Sequence, residues 1–123
     1  MNKQKILIID DQKNLLTVLK NLLDYHNFET HIALEGQQGI DMAKELNPDF
    51  ILLDIKMPKK DGIEVLKELR SIPEFKQTPI VVLSAKGQLH EINAGIKAGA
   101  TSYLCKPVVL QNIIDKIDEF LPK

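Results

Sequence analysis

The chain has 123 residues, 16 Lys and Arg against 17 Asp and Glu, a net charge of -1 and one cysteine. Such a length suits one domain that buries roughly two thirds of its unfolded surface without staples, and a lone cysteine excludes an internal disulfide. The scattered Lys and Arg argue against direct nucleic-acid binding and for protein partners, and the absence of a signal-peptide core or a run near 20 apolar residues argues against a membrane and for the cytoplasm.

Short apolar runs alternate with segments whose apolar residues recur every three or four positions, which predicts five strand-helix pairs around a parallel sheet. The first run, Ile6-Leu7-Ile8-Ile9, ends in Asp10-Asp11. A first helix follows, with Asp11 as candidate N-cap and Leu15, Val18, Leu19, Leu22 and Leu23 predicted on one inward side. Glu29 to Ala33 alternates and reads as strand two. Helix two follows Glu35-Gly36 with Ile40 and Ala43 inward, and Asn47-Pro48 stops it, because a residue before proline is pushed out of the helical region. The third run, Phe50-Ile51-Leu52-Leu53, ends in Asp54, and helix three starts at Asp61-Gly62 and buries Val65, Leu66 and Leu69. Pro73 to Pro79 reads as a polar connector.

The fourth run, Ile80-Val81-Val82-Leu83, ends in Ser84. Helix four lies between Gly87 and Gly99 with Leu89, Ile92 and Ile96 predicted inward, and Gly95 in its interior costs about 1 kcal/mol relative to alanine. The fifth run, Ser102 to Cys105, ends in Lys106. Pro107 suits the first turn of helix five, whose buried face is predicted as Leu110, Ile113, Ile114, Ile117 and Leu121. Continuous apolar runs belong at the centre of a parallel sheet and mixed runs at its edges. The strand order 2-1-3-4-5 meets this condition and the right-handed crossover rule, giving an α/β, doubly wound, flavodoxin-like domain with five flanking helices over residues 1–123.

Ligands of a parallel sheet bind outside the carboxyl ends of its strands, so Asp10, Asp11, Asp54, Ser84 and Lys106 should share one pocket. Three carboxylates there repel one another unless cations intervene. An all-oxygen set without His or Cys favours Mg²⁺, and Lys106 supplies a second positive charge. In that setting Asp54, which ends the central strand, is the nucleophile for attack on phosphorus, and Ser84 can bond a phosphoryl oxygen. A strand-end Asp alone is more often a cap than a catalyst, so the joint placement carries the reading.

These residues resemble the response-regulator receiver domain of two-component signalling, of the stand-alone type. The matching text is Ile8-Ile9-Asp10-Asp11, Leu52-Leu53-Asp54-Ile55-Lys56-Met57-Pro58-Lys59-Lys60-Asp61-Gly62, Val82-Leu83-Ser84-Ala85, and Gly99-Ala100 followed by Tyr103 and Lys106-Pro107. The resemblance implies that Asp10, Asp11, Asp54 and the backbone carbonyl of Lys56 hold Mg²⁺. It further implies that Asp54 accepts phosphate from a histidine kinase or histidine phosphotransfer domain, that Lys106 binds the phosphoryl group, and that Ser84 and Tyr103 form the switch. Tyr103 alone could also read as an edge-strand aromatic covering core, and the resemblance favours the switch. Family members often have the bond before the proline of Lys106-Pro107 in cis, against about 5% of X-Pro bonds in general.

A charge-assisted Ser84 contact is worth roughly 1.5 to 3 kcal/mol, whereas inverting a 1:99 equilibrium takes about 5.5, so Lys106 or a downstream protein target must add the rest. The surface of helix four, strand five and helix five is expected to change, with Gly95 helping helix four to shift. Lys56 and Lys86, each two residues past a site residue, are expected to screen the phosphoryl group from water and prolong its life. Met57-Pro58 and Asp61-Gly62 read as a rigid turn and a helix start. His26, His31 and His90 lack metal-ligand spacing, Cys105 reads as a small buried strand residue, and Asp115, Lys116, Asp118 and Glu119 as a solvated face.

Three other functions fit less well. A haloacid-dehalogenase-type phosphatase places its nucleophile after the first strand in an Asp-x-Asp motif, unlike Asp10-Asp11, and needs length for a substrate cap. A phosphorylation-independent module on the same scaffold need not keep Asp54 and Lys106. A flavin site would want a Ser/Thr-rich cradle where this chain is acidic. The end at Lys123, without a linker, favours a stand-alone receiver.

Overall fold

The computed structural model describes residues 3–85 and 87–121. Chain order is β1 (Lys5–Ile9), α1 (Lys13–Tyr25), β2 (Glu29–Ala33), α2 (Gly36–Leu46), β3 (Phe50–Asp54), α3 (Gly62–Ser71), a 3-10 turn (Pro73–Phe75), β4 (Ile80–Ala85), α4 (Leu89–Ala98), β5 (Ser102–Lys106) and α5 (Leu110–Phe120). The five strands are parallel in the order β2-β1-β3-β4-β5, as the run character requires.

Successive side chains of a strand point to opposite faces, so the central apolar runs feed two cores. Leu7, Ile9, Ile51, Leu53, Ile80 and Val82 pack with Ile40 and Ala43 of α2 and Val65, Leu66 and Leu69 of α3. Ile6, Ile8, Phe50, Leu52, Val81 and Leu83 pack with Leu16, Leu19 and Leu23 of α1 and Ile113 and Ile117 of α5. Burying both faces explains why β1, β3 and β4 carry no alternation.

Helix ends follow local chemistry in two places. Asp61 caps α3, its carboxylate accepting from the Glu64 N–H at 3.0 Å, and Asn47 ends α2 in the left-handed region at φ 51°. Elsewhere the structure departs from expectation. Gln12, not Asp11, precedes α1, without a side-chain cap, and Leu15, Val18 and Leu22 face outward. On α4 the inward residues are Glu91, Ile92 and Gly95, while Leu89 and Ile96 are exposed. Gly95 lets α4 lie close to β4, since a Cβ there would meet Val82 at 3.1 Å. The Pro73 to Pro79 connector contains a buried Phe75. Pro107 stays outside α5, which begins at Leu110 after Val109. Cys105 is exposed, because alternate residues of the edge strand β5 face solvent.

Candidate functional site

Strand register assembles the pocket. Ile9 pairs with Leu53, which sets Asp10 beside Asp54. Asp54 pairs with Leu83, so Ser84 lies one residue further on, and Ala85 pairs with Lys106. Glycine at 62 secures the end of β3. A Cβ there would collide with the Asp54 carbonyl oxygen and lie 2.6 Å from the Ile55 Cα, and the Gly62 N–H donates to the Ile55 carbonyl at 2.8 Å.

Carboxylate oxygens of Asp10, Asp11 and Asp54 lie within 4.8 Å of one another, with Asp10 and Asp54 buried and Asp11 exposed. The Lys106 ammonium donates to Asp54 Oδ2 at 3.0 Å and lies 3.5 Å from Asp10 Oδ2. The Lys56 N–H donates to Asp54 Oδ1 at 3.3 Å. Burial first, then the neighbouring Asp10 charge, push the Asp54 carboxyl up to about 6, outweighing its bond to Lys106. Burial works against the charged form of Lys106, but the hydrogen bond to Asp54 and the charges of Asp10 and Asp54 prevail and hold its pKa above the ordinary value. One ammonium among three carboxylates leaves the cluster short of positive charge. Its all-oxygen donors fit a hard divalent ion such as Mg²⁺.

Ser84 is buried at the pocket wall, and its hydroxyl donates to Glu91 Oε1 at 2.9 Å. Glu91 Oε2 lies 3.4 Å from the Lys56 ammonium. Sequence reasoning missed Glu91, since a charged residue in the first turn of a helix ordinarily faces water. Tyr103 stands outside the pocket on the outward side of β5, 43% exposed. The Lys106-Pro107 bond is cis, as the resemblance implied. Lys86 falls outside the described residues. His31 pairs with Glu29 at 2.8 Å, and no histidine joins a metal-ligand cluster among the described residues.

A second residue beyond the reach of the pattern is Arg70. Its half-buried guanidinium donates to the carbonyls of Gly99 at 2.9 Å, Phe75 at 2.6 Å and Thr78 at 2.7 Å, tying α3 to the approach to β4 and the end of α4.

Fold and pocket together define a receiver module of two-component signalling, a class of signalling domain rather than turnover enzyme. Residues 6–118 match the response regulator receiver domain, and the chain belongs to that family. It is 38% identical over 117 residues to the transcriptional regulatory proteins CpxR of Klebsiella pneumoniae and SrrA of Staphylococcus aureus. Those matches cover 95% of this chain but 49% and 47% of theirs, so it spans about half the length of the curated relatives it matches. Among solved structures, chemotaxis response regulator CheY4 of Vibrio cholerae aligns with a TM-score of 0.90 at 26% identity, covering 98% of this chain and 100% of that one. A receiver domain protein from Clostridium thermocellum aligns at 0.88 and 31%, covering 96% and 94%. Receiver domains bind Mg²⁺ at an acidic cluster and interact with histidine kinases and downstream effectors. Among the described residues no helix is long and apolar enough to cross a membrane.

Proposed function

We propose that Asp54 is the phosphoacceptor of a two-component or phosphorelay pathway, taking its phosphoryl group from a phosphohistidine of a histidine kinase or histidine phosphotransfer domain. The observation that carries this reading is the Lys106 ammonium bridging the buried Asp54 and Asp10 carboxylates at the ends of three different strands. A carboxylate oxygen of Asp54 attacks phosphorus, the P–N bond of the phosphoimidazole breaks as the O–P bond forms, and the imidazole leaves with the electron pair and regains a proton. Lys106 balances charge on the phosphoryl oxygens in the transition state. Asp10, Asp11, Asp54 and the Lys56 carbonyl are the groups to hold Mg²⁺, which when bound supplies the remaining positive charge.

The donor must reach Asp54 past the exposed rim of the pocket. A cleft of about 430 Å³ opens there, lined by Gln12, Leu15, Lys106, Pro107 and Val108. Together with exposed Leu15, Val18 and Leu22 on α1 it supports docking of the phosphohistidine-bearing helix beside Lys106. On the other side, Ser84 and Tyr103 relay the modification to α4, β5 and α5, the surface for a downstream protein target. This division leaves the modified protein as the output. The receiver requires no contact with nucleic acid or membrane for it.

Mass spectrometry after treatment with acetyl phosphate and Mg²⁺ tests the assignment. Wild type gains one phosphoryl group and Asp54→Asn gains none; persistent labelling of the variant overturns it.

A further inference from the structure

Three carboxylates are buried among the described residues: Asp10, Asp54 and Glu91. The first two belong to the phosphoacceptor cluster, whereas Glu91 has no part in that chemistry. It sits in the first turn of α4 with only 6% of its surface exposed. Its Oε1 accepts from the Ser84 hydroxyl at 2.9 Å. Its Oε2 has no hydrogen bond and is faced at 3.4 Å by Lys56, whose side chain is 77% exposed. An ion pair to so exposed a partner is weak. The Ser84 hydroxyl is therefore the main support of a charge held out of water.

A serine hydroxyl has one proton to donate. It cannot serve Glu91 and a phosphoryl oxygen on Asp54 together. The same competition applies to the Lys56 ammonium, which now faces Glu91 although its own backbone N–H contacts Asp54.

We infer that Glu91 is a competing acceptor, a positioning residue that holds Ser84 and Lys56 off Asp54 until a phosphoryl group takes them, and that the carboxylate so abandoned carries the first turn of α4 outward. This rests on the reading of Ser84 as a phosphoryl ligand. The second step follows from the cost of a buried charge without a donor, which is relieved only by a new partner or by water. Water is close at hand: a cleft of about 450 Å³ bounded by Ile55, Met57, Pro58 and Asp61 opens against Glu91. The start of α4 is lightly held, since Leu89, its first residue, is 70% exposed. Glu91 thus links the fate of one hydroxyl proton to the position of a helix.

Titration of the full chain with beryllofluoride and Mg²⁺, followed by amide NMR, tests the inference in Glu91→Leu and Glu91→Gln, each with and without Ser84→Ala. Removing the acceptor in Glu91→Leu should tighten binding about tenfold, the worth of a charge-assisted hydrogen bond no longer broken. Glu91→Gln, which keeps an acceptor of the same shape without the charge, should give a smaller gain. Both gains should vanish when Ser84→Ala is present, because no hydroxyl remains to be released. The amide shifts along α4 on beryllofluoride binding should shrink in Glu91→Leu even as binding tightens, an uncoupling that mere loosening of the helix would not produce.

Equal affinity in wild type and both Glu91 variants overturns the inference while leaving Asp54 as acceptor, as does a gain that survives Ser84→Ala. If wild type itself fails to bind beryllofluoride, the phosphoacceptor reading falls and the inference falls with it.

Discussion

The strands β3 and β5 end in the two residues that meet across the pocket, yet they are built on opposite plans. Every residue of β3 from Phe50 to Asp54 is buried, and α3 packs so closely on its end that only glycine fits at position 62. In β5 half-buried and exposed residues alternate from Ser102 to Lys106, with Tyr103 and Cys105 turned outward. A nucleophile benefits from an immobile support, since small displacements of a reacting group cost much of its rate. A reporter benefits from a support that rearranges cheaply, which means few buried contacts. The proposed acceptor and its proposed readout accordingly fall on the central and the edge strand of one sheet.

The comparison breaks most readily through core truncation. Leu52→Ala in β3 should lower unfolding stability by about 3 to 4 kcal/mol, and Leu104→Ala in β5 by about 1 to 2, measured by urea denaturation. Equal losses would show that β5 is as firmly held as β3.

Acidity sharpens it next. The folded-state pKa of Asp54 is about 6 against an ordinary 3.8. The fold therefore favours the protonated carboxyl more than the unfolded chain does. Its contribution to stability is complete below about pH 4 and is lost as pH rises through about 6. Thermal melts in chelator should show this decline, Asp54→Asn should flatten it, and added Mg²⁺ should offset it near neutrality. A decline that persists in Asp54→Asn would place its source elsewhere.

Arg70→Ala tests the framework that carries β4 and β5. It leaves the carbonyls of Phe75, Thr78 and Gly99 short of a donor and should cost about 2 kcal/mol in denaturant, with Arg70→Lys recovering little because a single ammonium cannot span them. The smallest effect is expected just after β3. Lys59 adopts a left-handed backbone at φ 68°, and its ion pair with Glu35 at 3.5 Å is solvent-exposed. Lys59→Gly should therefore stabilise the fold by up to about 1 kcal/mol, visible as a higher melting temperature.

Much of the fold was legible because its signals are local. The runs ending in Asp54, Ser84 and Lys106 were readable as strands from their apolar character alone, and Asp61-Gly62 as a helix start from capping chemistry. The faces of α1 and α4 were not. On α1, Leu16, Leu19 and Leu23 repeat at the same spacing as Leu15, Val18 and Leu22, one residue out of step. Both stripes are apolar, so only packing against β1 and β3 selects the first. On α4 the selection runs against hydropathy, burying Glu91 while Leu89 and Ile96 stay exposed. A carboxylate is buried there because Ser84, seven residues earlier, supplies a donor. Cys105 is exposed for a related reason, since an edge strand has solvent on one side whatever its own composition.

The sequence by itself determined which chemical groups stand at the strand ends, and the order of the strands through the contrast between continuous and mixed runs. Both depend on interactions within a few residues and on the general handedness of crossovers. Tertiary structure alone decided where those groups point. Lys106 reaches Asp54 and Asp10, Ser84 donates to Glu91, and Tyr103 faces solvent. Direction is a property of register and packing between segments distant in the chain, which no short stretch of sequence contains.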